Sequence, residues 1–178
     1  KGLNKMSIDT FIANFAGGAR PNRYRVIITY PSAVGSPNIR DEIVCRAASL
    51  PSSTVGMIPV PYMGRTIPVP GDRIFEDWTA TFFNDISMSH RNIFERWSNL
   101  INAHEGNIQG TPSYKDLLAT IDVSQLDRQD NIIKTVRVLN AFPITVTPVD
   151  FAYDANDIVS EFTVSFAYSH WEDVNTTS

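Results

Sequence analysis

Residues 60–85 read VPYMGRTIPVPGDRIFEDWTATFFND, and the fold turns on where this run divides. Its second half, Asp77-Trp78-Thr79-Ala80-Thr81-Phe82-Phe83, alternates strictly: Trp78, Ala80 and Phe82 fall on one face, and Asp77, Thr79 and Thr81 on the other. That is the pattern of a strand with one buried side. The first half cannot be a central strand of the same sheet, because Pro59, Pro61, Pro68 and Pro70 have no N–H to give to a ladder. Yet Val55, Ile58, Val60, Ile67 and Val69 are β-formers. The two facts meet in a long hairpin over 51–70, turning near Tyr62-Met63-Gly64 and projecting from the domain with little core beneath it. A lone hairpin is marginal in water, so it must lie on something. Val55, Ile58, Val60, Tyr62, Met63, Arg65, Ile67 and Val69 are therefore candidates for a subunit interface.

Between the two halves lie Asp72, Arg73, Glu76 and Asp77. Crowded carboxylates can serve acid–base catalysis or hold a metal. Here, however, strand periodicity sends Glu76 and Asp77 to opposite faces, while Pro70-Gly71 signals a turn that holds Asp72 and Arg73. The reading is structural: Arg73 pairs with Asp72, Glu76 or Asp77 and pins the hairpin base to the sheet.

Outward from this centre, Tyr24 to Tyr30 reads as a strand stopped by Pro31, and Glu42 to Ala47 as a short strand. Ser89 to His104 is the one clear long helix, with Ile93, Phe94, Trp97, Leu100 and Ile101 as its apolar stripe, Ser87 or Ser89 as its cap and Gly106 as its stop. Residues 107–118 read as a polar loop. Ile121–Val123 is a short strand, Asp127–Asp130 a turn, and 131–147 a strand pair broken at Pro143. Asp154-Ala155-Asn156-Asp157 is a turn signal before a clean strand in which Phe162, Val164, Phe166 and Tyr168 alternate with Glu161, Thr163, Ser165 and Ala167. Residues 1–20 form an arm whose Ile8, Phe11, Ile12 and Phe15 recur at helical spacing, making Phe11 and Phe15 further interface candidates. The fold class is mainly β: a single-domain sandwich or barrel over 1–178 with one packed helix, a projecting hairpin and an N-terminal arm.

Chemistry is scarce. The 178 residues carry 15 Lys and Arg against 19 Asp and Glu, a net charge of −4 without a basic cluster, which disfavours tight binding to nucleic acid. Cys45 is the single cysteine and cannot pair within the chain. His90 and His104 lie too far apart on one helix to share a metal, about 21 Å at 1.5 Å per residue. No nucleophile elbow, phosphate loop or zinc spacing occurs. No catalytic residue, cofactor or metal is expected. No run is long and apolar enough to insert in a membrane.

Residues 60–85 also carry a resemblance. A hairpin leading into Gly-Asp-Arg, an aromatic, an acid and Asp-Trp-Thr resembles the tail tube proteins of T4-like contractile-tailed bacteriophages. Ala19-Arg20-Pro21-Asn22, Cys45-Arg46-Ala47-Ala48-Ser49-Leu50-Pro51, the helix with Phe94 and Trp97, and Tyr168-Ser169-His170-Trp171-Glu172 match in place. The departures are 31–41, the loop after Gly106, and Pro70. The resemblance implies six-membered rings stacked helically into a hollow tube, with the sheets of the subunits merging into one lumen wall. It also implies a surrounding sheath, baseplate and tail terminator partners, and DNA and a tape measure protein passing through without tight binding. The implied location is the virion tail, after synthesis in the host cytoplasm. Type VI secretion tubes and contractile bacteriocin tubes share the fold, so a DNA-free injection particle is the alternative. A monomeric β-sandwich that grasps a ligand with the hairpin is the alternative of another class.

Aromatic sets prefer the core, so the small polar sets Asp77, Thr79, Thr81 and Glu161, Thr163, Ser165 face outward; in the implied tube they are expected to face the channel, with Asp77 and Glu161 supplying negative charge, the alternative being ordinary solvent or another subunit.

Overall fold

The computed structural model describes residues 8, 10, 15, 18–37, 40–106, 110, 113–154 and 156–174. These contain nine strands: β1 (Tyr24–Thr29), β2 (Cys45–Ala48), β3 (Ser53–Tyr62), β4 (Arg65–Phe75), β5 (Trp78–Phe83), β6 (Ala119–Leu126), β7 (Ile132–Val146), β8 (Glu161–Ala167) and β9 (His170–Asp173). Helical segments among them include the single turn α1 (Asp41–Val44), the longer α2 (Ser89–Ile101) and a 3-10 turn over Tyr114–Leu117, where the sequence suggests only a polar loop.

The sequence suggests two strands separated by Pro143, but β7 is one strand that belongs to both halves of the sheet. Its first part pairs with β6 and β9, and its last part with β8. Asn140, at φ 57°, marks the bend between them. Pro143 sits opposite Phe166 where the register slips, so its missing N–H falls at an irregularity the ladder already has. The sheet order is β1-β6-β7-β8-β5-β2, with β9 added beside β7 and all neighbours antiparallel.

The bent sheet encloses one core. Val26 and Ile28 of β1, Ile121 and Val123 of β6 and Val138 of β7 share a cluster with Trp78, Ala80 and Phe82 of β5 and Phe162, Val164 and Phe166 of β8. The alternation read in β5 and β8 is realised in the observed burial. Helix α2 contributes Ile93, Phe94 and Trp97 to that cluster. The Phe94 ring lies within 6.4 Å of Tyr30, Phe82, Trp97, Phe162 and Phe166, centroid to centroid.

Four local expectations are corrected. Glu42–Ala47 is not all strand, because Asp41 and Val44 turn inward as α1 and only Cys45–Ala48 pairs, with β5. Neither Ser87 nor Ser89 caps α2. The carboxylate of Asp85 does so, accepting the Ser89 N–H at 2.8 Å and the Ser87 and Ser89 hydroxyls. The helix stops at Ile101 rather than His104. The short strand expected at Ile121–Val123 extends over eight residues, and His170–Asp173 forms an unexpected strand along β7. In the arm, Ile8, Thr10 and Phe15 are helical, and Gly18, at φ 65°, donates its N–H to the Phe15 carbonyl at 2.8 Å. Phe11 and Ile12 lie outside the described residues.

Candidate functional site

The hairpin β3–β4 forms a sheet of its own, pairing with no other strand among the described residues. Met63 and Gly64, at φ 45° and 76°, make the two-residue turn whose twist suits antiparallel strands. The register sets Ile58 against Val69, Val60 against Ile67 and Tyr62 against Arg65, so these six side chains share one face. Pro59 against Pro68, Pro61 against Thr66 and Met57 against Pro70 make the other. In an antiparallel ladder, alternate pairs point their N–H groups outward. Prolines directly opposite each other fit only those pairs. The hairpin thus keeps its internal bonds while its outer edges lose the donors that would recruit a further strand. The aliphatic face is bare: Ile58 is 53% exposed, Ile67 48% and the tip residue Met63 87%. Val55, Val60, Tyr62, Arg65 and Val69 are exposed with them, as is Phe15 of the arm.

The hairpin base differs from the expected ion-paired joint. There is no turn at Pro70-Gly71, and β4 runs unbroken through Asp72 and Arg73 to Phe75. Gly71 instead faces Gly56 across a bulge, where a Cβ on Gly71 would meet the Gly56 carbonyl oxygen at 3.2 Å. The glycines are needed for close backbone approach. Among the described residues, no ion pair joins Arg73 to Asp72, Glu76 or Asp77, and all four are exposed. Aromatics anchor the root. The Tyr168 hydroxyl and Trp171 Nε1 both donate to the Ser52 carbonyl, at 3.2 and 3.4 Å, and the Phe75 ring lies 6.0 Å from that of Tyr168. Glu76 accepts from Ser52 Oγ at 3.1 Å. Burial, then the charges of Asp77 and Glu76, hold the Tyr168 phenol above its ordinary range.

The small polar sets do come together. Thr79 pairs with Ser165, and Thr81 with Thr163, the hydroxyls of the latter pair 3.0 Å apart. Thr147 Oγ1 accepts the Thr163 N–H at 2.8 Å. Thr79 and Asp77 are exposed, and Thr81, Glu161, Thr163 and Ser165 are half-buried. Glu161 is ion-paired with Arg46, which also lies 6.0 Å from the Phe83 ring. Arg46 offsets the charge of Glu161, and among the described residues Asp77 is the one of the two acids without an ion-pair partner. The pairing crosses 115 residues of sequence, which no local pattern reveals.

The connection between β7 and β8 holds residues that the sequence pattern did not single out. Phe151 is 83% exposed and Tyr153 fully exposed, and Ile158 and Val159 are exposed as well. The segment has neither strand nor helix period, so only its unusual content of bare aromatic and aliphatic side chains could have marked it.

A buried polar centre lies under α1. The Asp41 carboxylate accepts from the Tyr30 hydroxyl at 2.6 Å and the Ile28 N–H at 3.2 Å. His90 Nε2 lies 3.2 Å from the same carboxylate without the alignment of a hydrogen bond. Burial, then the nearby Asp41 charge, pushes the Cys45 thiol up to about 12. A cysteine in an unfolded chain titrates near ~8.5, so the folded state holds a proton that the unfolded state releases. Stability contributed this way is intact below about pH 8.5 and declines as pH rises towards 12. At about pH 8 the native thiol is expected to react with iodoacetamide about a thousandfold more slowly than in urea-unfolded protein, as read by mass spectrometry. Equal rates would place a thiolate at Cys45.

Among the described residues no group of three or more His, Cys, Asp or Glu could hold a metal ion. The geometry is that of exposed apolar side chains carried on a packed β-core. The family model for phage tail tube proteins matches residues 19–173. The chain belongs to the phage tail tube protein family. It is 32% identical to tail tube protein gp19 of Enterobacteria phage T4 over 94% of this chain and 100% of that one. It is 33% identical to the tail tube protein of Serratia phage KSP90, covering 85% and 86%. Two solved structures share the fold at lower identity. A chain from the baseplate of the anti-feeding prophage superimposes with a TM-score of 0.63 at 13% identity, covering 90% of this chain and 97% of that one. A chain from the sheath-tube complex of an extracellular contractile injection system gives 0.54 at 17%, covering 94% and 99%.

Proposed function

We propose that this tail tube protein assembles as six-membered rings stacked into the hollow conduit through which a contractile-tailed phage ejects its DNA. The observation that carries the reading is the hairpin, which exposes nine large apolar side chains from Val55 to Ile74 and whose proline-studded edges refuse further strands. Head-to-tail contacts of this kind generate rings when they close and stacks when they do not. In this reading the arm with Phe15 adds a second contact. A sheath surrounds the tube, a baseplate and a terminator bound its ends, and a tape measure protein occupies the bore during assembly in the host cytoplasm. The protein's role is structural, without a catalytic step. The phage setting is favoured over a DNA-free injection particle because the phage relatives stand at 32% and 33% identity and the injection-system chains at 13% and 17%.

The Thr79, Thr81, Thr163 and Ser165 face is proposed to line the bore, since short hydroxylated side chains leave it clear and present no cation to phosphate. The test is a particle carrying Thr79→Lys and Ser165→Lys, which are cross-strand neighbours. Hollow tubes of normal length are expected in negative stain, with DNA exit slowed at low ionic strength and recovering as salt screens the added charge. Exit at the wild-type rate at every ionic strength would move the bore to another face. A wild-type protein that forms no hollow tubes would sink the conduit itself.

A further inference from the structure

The hairpin faces need a receptor, and the opposite end of β5 offers one. The hairpin roots where β5 begins at Trp78, whereas the other end, at Phe83, borders a groove of about 480 Å³. Phe83, Val149, Ile158 and Val159 line it together with the acids Asp150 and Asp157. The remaining charges, Arg46 and Glu161, neutralise each other, so the groove carries two uncompensated acids. Among the described residues neither Asp150 nor Asp157 has an ion-pair partner. The outer hairpin, from Met57 to Pro70, carries one charge, Arg65, on the same face as Ile58, Val60 and Ile67.

We infer that this groove receives the aliphatic hairpin face of a second copy of the chain, with Arg65 seated between Asp150 and Asp157. The inference rests on the reading of the hairpin as an assembly element and names where it docks. Three observations select this occupant. The charges are complementary, with one cation among aliphatic groups set against a groove lined by two acids and four apolar side chains. The prolines forbid edge-strand pairing, so side chains must make the contact. The hairpin is not seated in its own chain's groove, because Met63 at the tip is 87% exposed. The contact is heterologous, joining the hairpin of one copy to the groove of the next, and therefore propagates.

That geometry permits a test that does not depend on a single variant. Two proteins are made, one with Arg65→Glu and the other with Asp150→Lys and Asp157→Lys. All three positions are exposed, so the folds should survive, as circular dichroism would verify. Each protein alone sets like charges together at every contact and is expected to polymerise at least about tenfold more slowly than wild type. Mixed in equal amounts they are complementary. The hairpin with Arg65→Glu finds the lysine groove, the native hairpin finds the native groove, and alternating tubes should form at close to the wild-type rate. If each protein polymerises normally alone, or if the mixture is no faster than its components, the groove is not the receptor. Excising the hairpin (residues 54–74) separates this from failure of the underlying reading. Loss of tubes on excision with no rescue in the mixture overturns the docking site alone. Tubes that survive excision overturn the hairpin's role in assembly as well.

Discussion

Excising residues 54–74 and joining the ends with a short glycine-containing turn should yield a folded monomer that forms no tubes. The excision touches none of the residues that make the core cluster. It spares Ser52, whose carbonyl accepts from Tyr168 and Trp171, and Phe75, whose ring packs near that of Tyr168, so the root of the hairpin keeps its aromatic anchor. The thermal midpoint should therefore move by only a few degrees. Assembly is another matter. The hairpin holds nine exposed large apolar residues, and burying such side chains contributes on the order of 1 kcal/mol each, about 10 kcal/mol gross per subunit. Ordering costs of association absorb much of that, which leaves little binding energy once the hairpin is gone. Sedimentation velocity on the excised protein would show a single species at monomer mass up to high concentration. Rods in negative stain would mean that the remaining surfaces suffice.

How much of this could be read from the amino-acid order depends on the range of the interaction. The period-two alternation of Trp78, Ala80 and Phe82, and of Phe162, Val164 and Phe166, is local, and the observed burial follows it residue by residue. Prolines likewise act locally, so the hairpin and its turn at Met63-Gly64 were legible before any contact was known. Pro143 and Gly71 misled for the same local reason. Each is a breaker in isolation, and each sits instead at a slip in register that only the partner strand creates. The ion pair of Arg46 with Glu161 joins residues from β2 and β8 that sequence alone cannot place together. The receptor groove draws on β5 and on an aperiodic segment before β8, which is why the aliphatic hairpin was visible and its proposed seat was not. Asp41 was hidden for a related reason. A buried carboxylate has no periodic signature, since its burial depends on partners that arrive from β1 and α2.

Asp41→Ala should be among the most destabilising single substitutions outside the apolar core, costing roughly 3 kcal/mol or more. The carboxylate is almost fully buried and joins three elements. It lies on α1, accepts the Ile28 N–H from β1 and the hydroxyl of Tyr30 just beyond that strand, and lies 3.2 Å from His90 of α2. Alanine leaves those donors buried without that acceptor and opens a void beside the stacked rings of His90 and Phe82. Asp41→Asn preserves the volume and one carbonyl oxygen, so it can still accept one of the two donors, and should cost about half as much. Urea denaturation of both variants gives the ordering directly. A further substitution, Tyr30→Phe, isolates the short hydroxyl contact. If Asp41 acts by accepting that donor, Tyr30→Phe should be markedly less harmful in the Asp41→Ala background than in the wild type, because the hydroxyl there has already lost its acceptor. Additive losses would mean that the two residues stabilise the fold independently. In that case the cost of Asp41→Ala would arise from packing and from the Ile28 N–H.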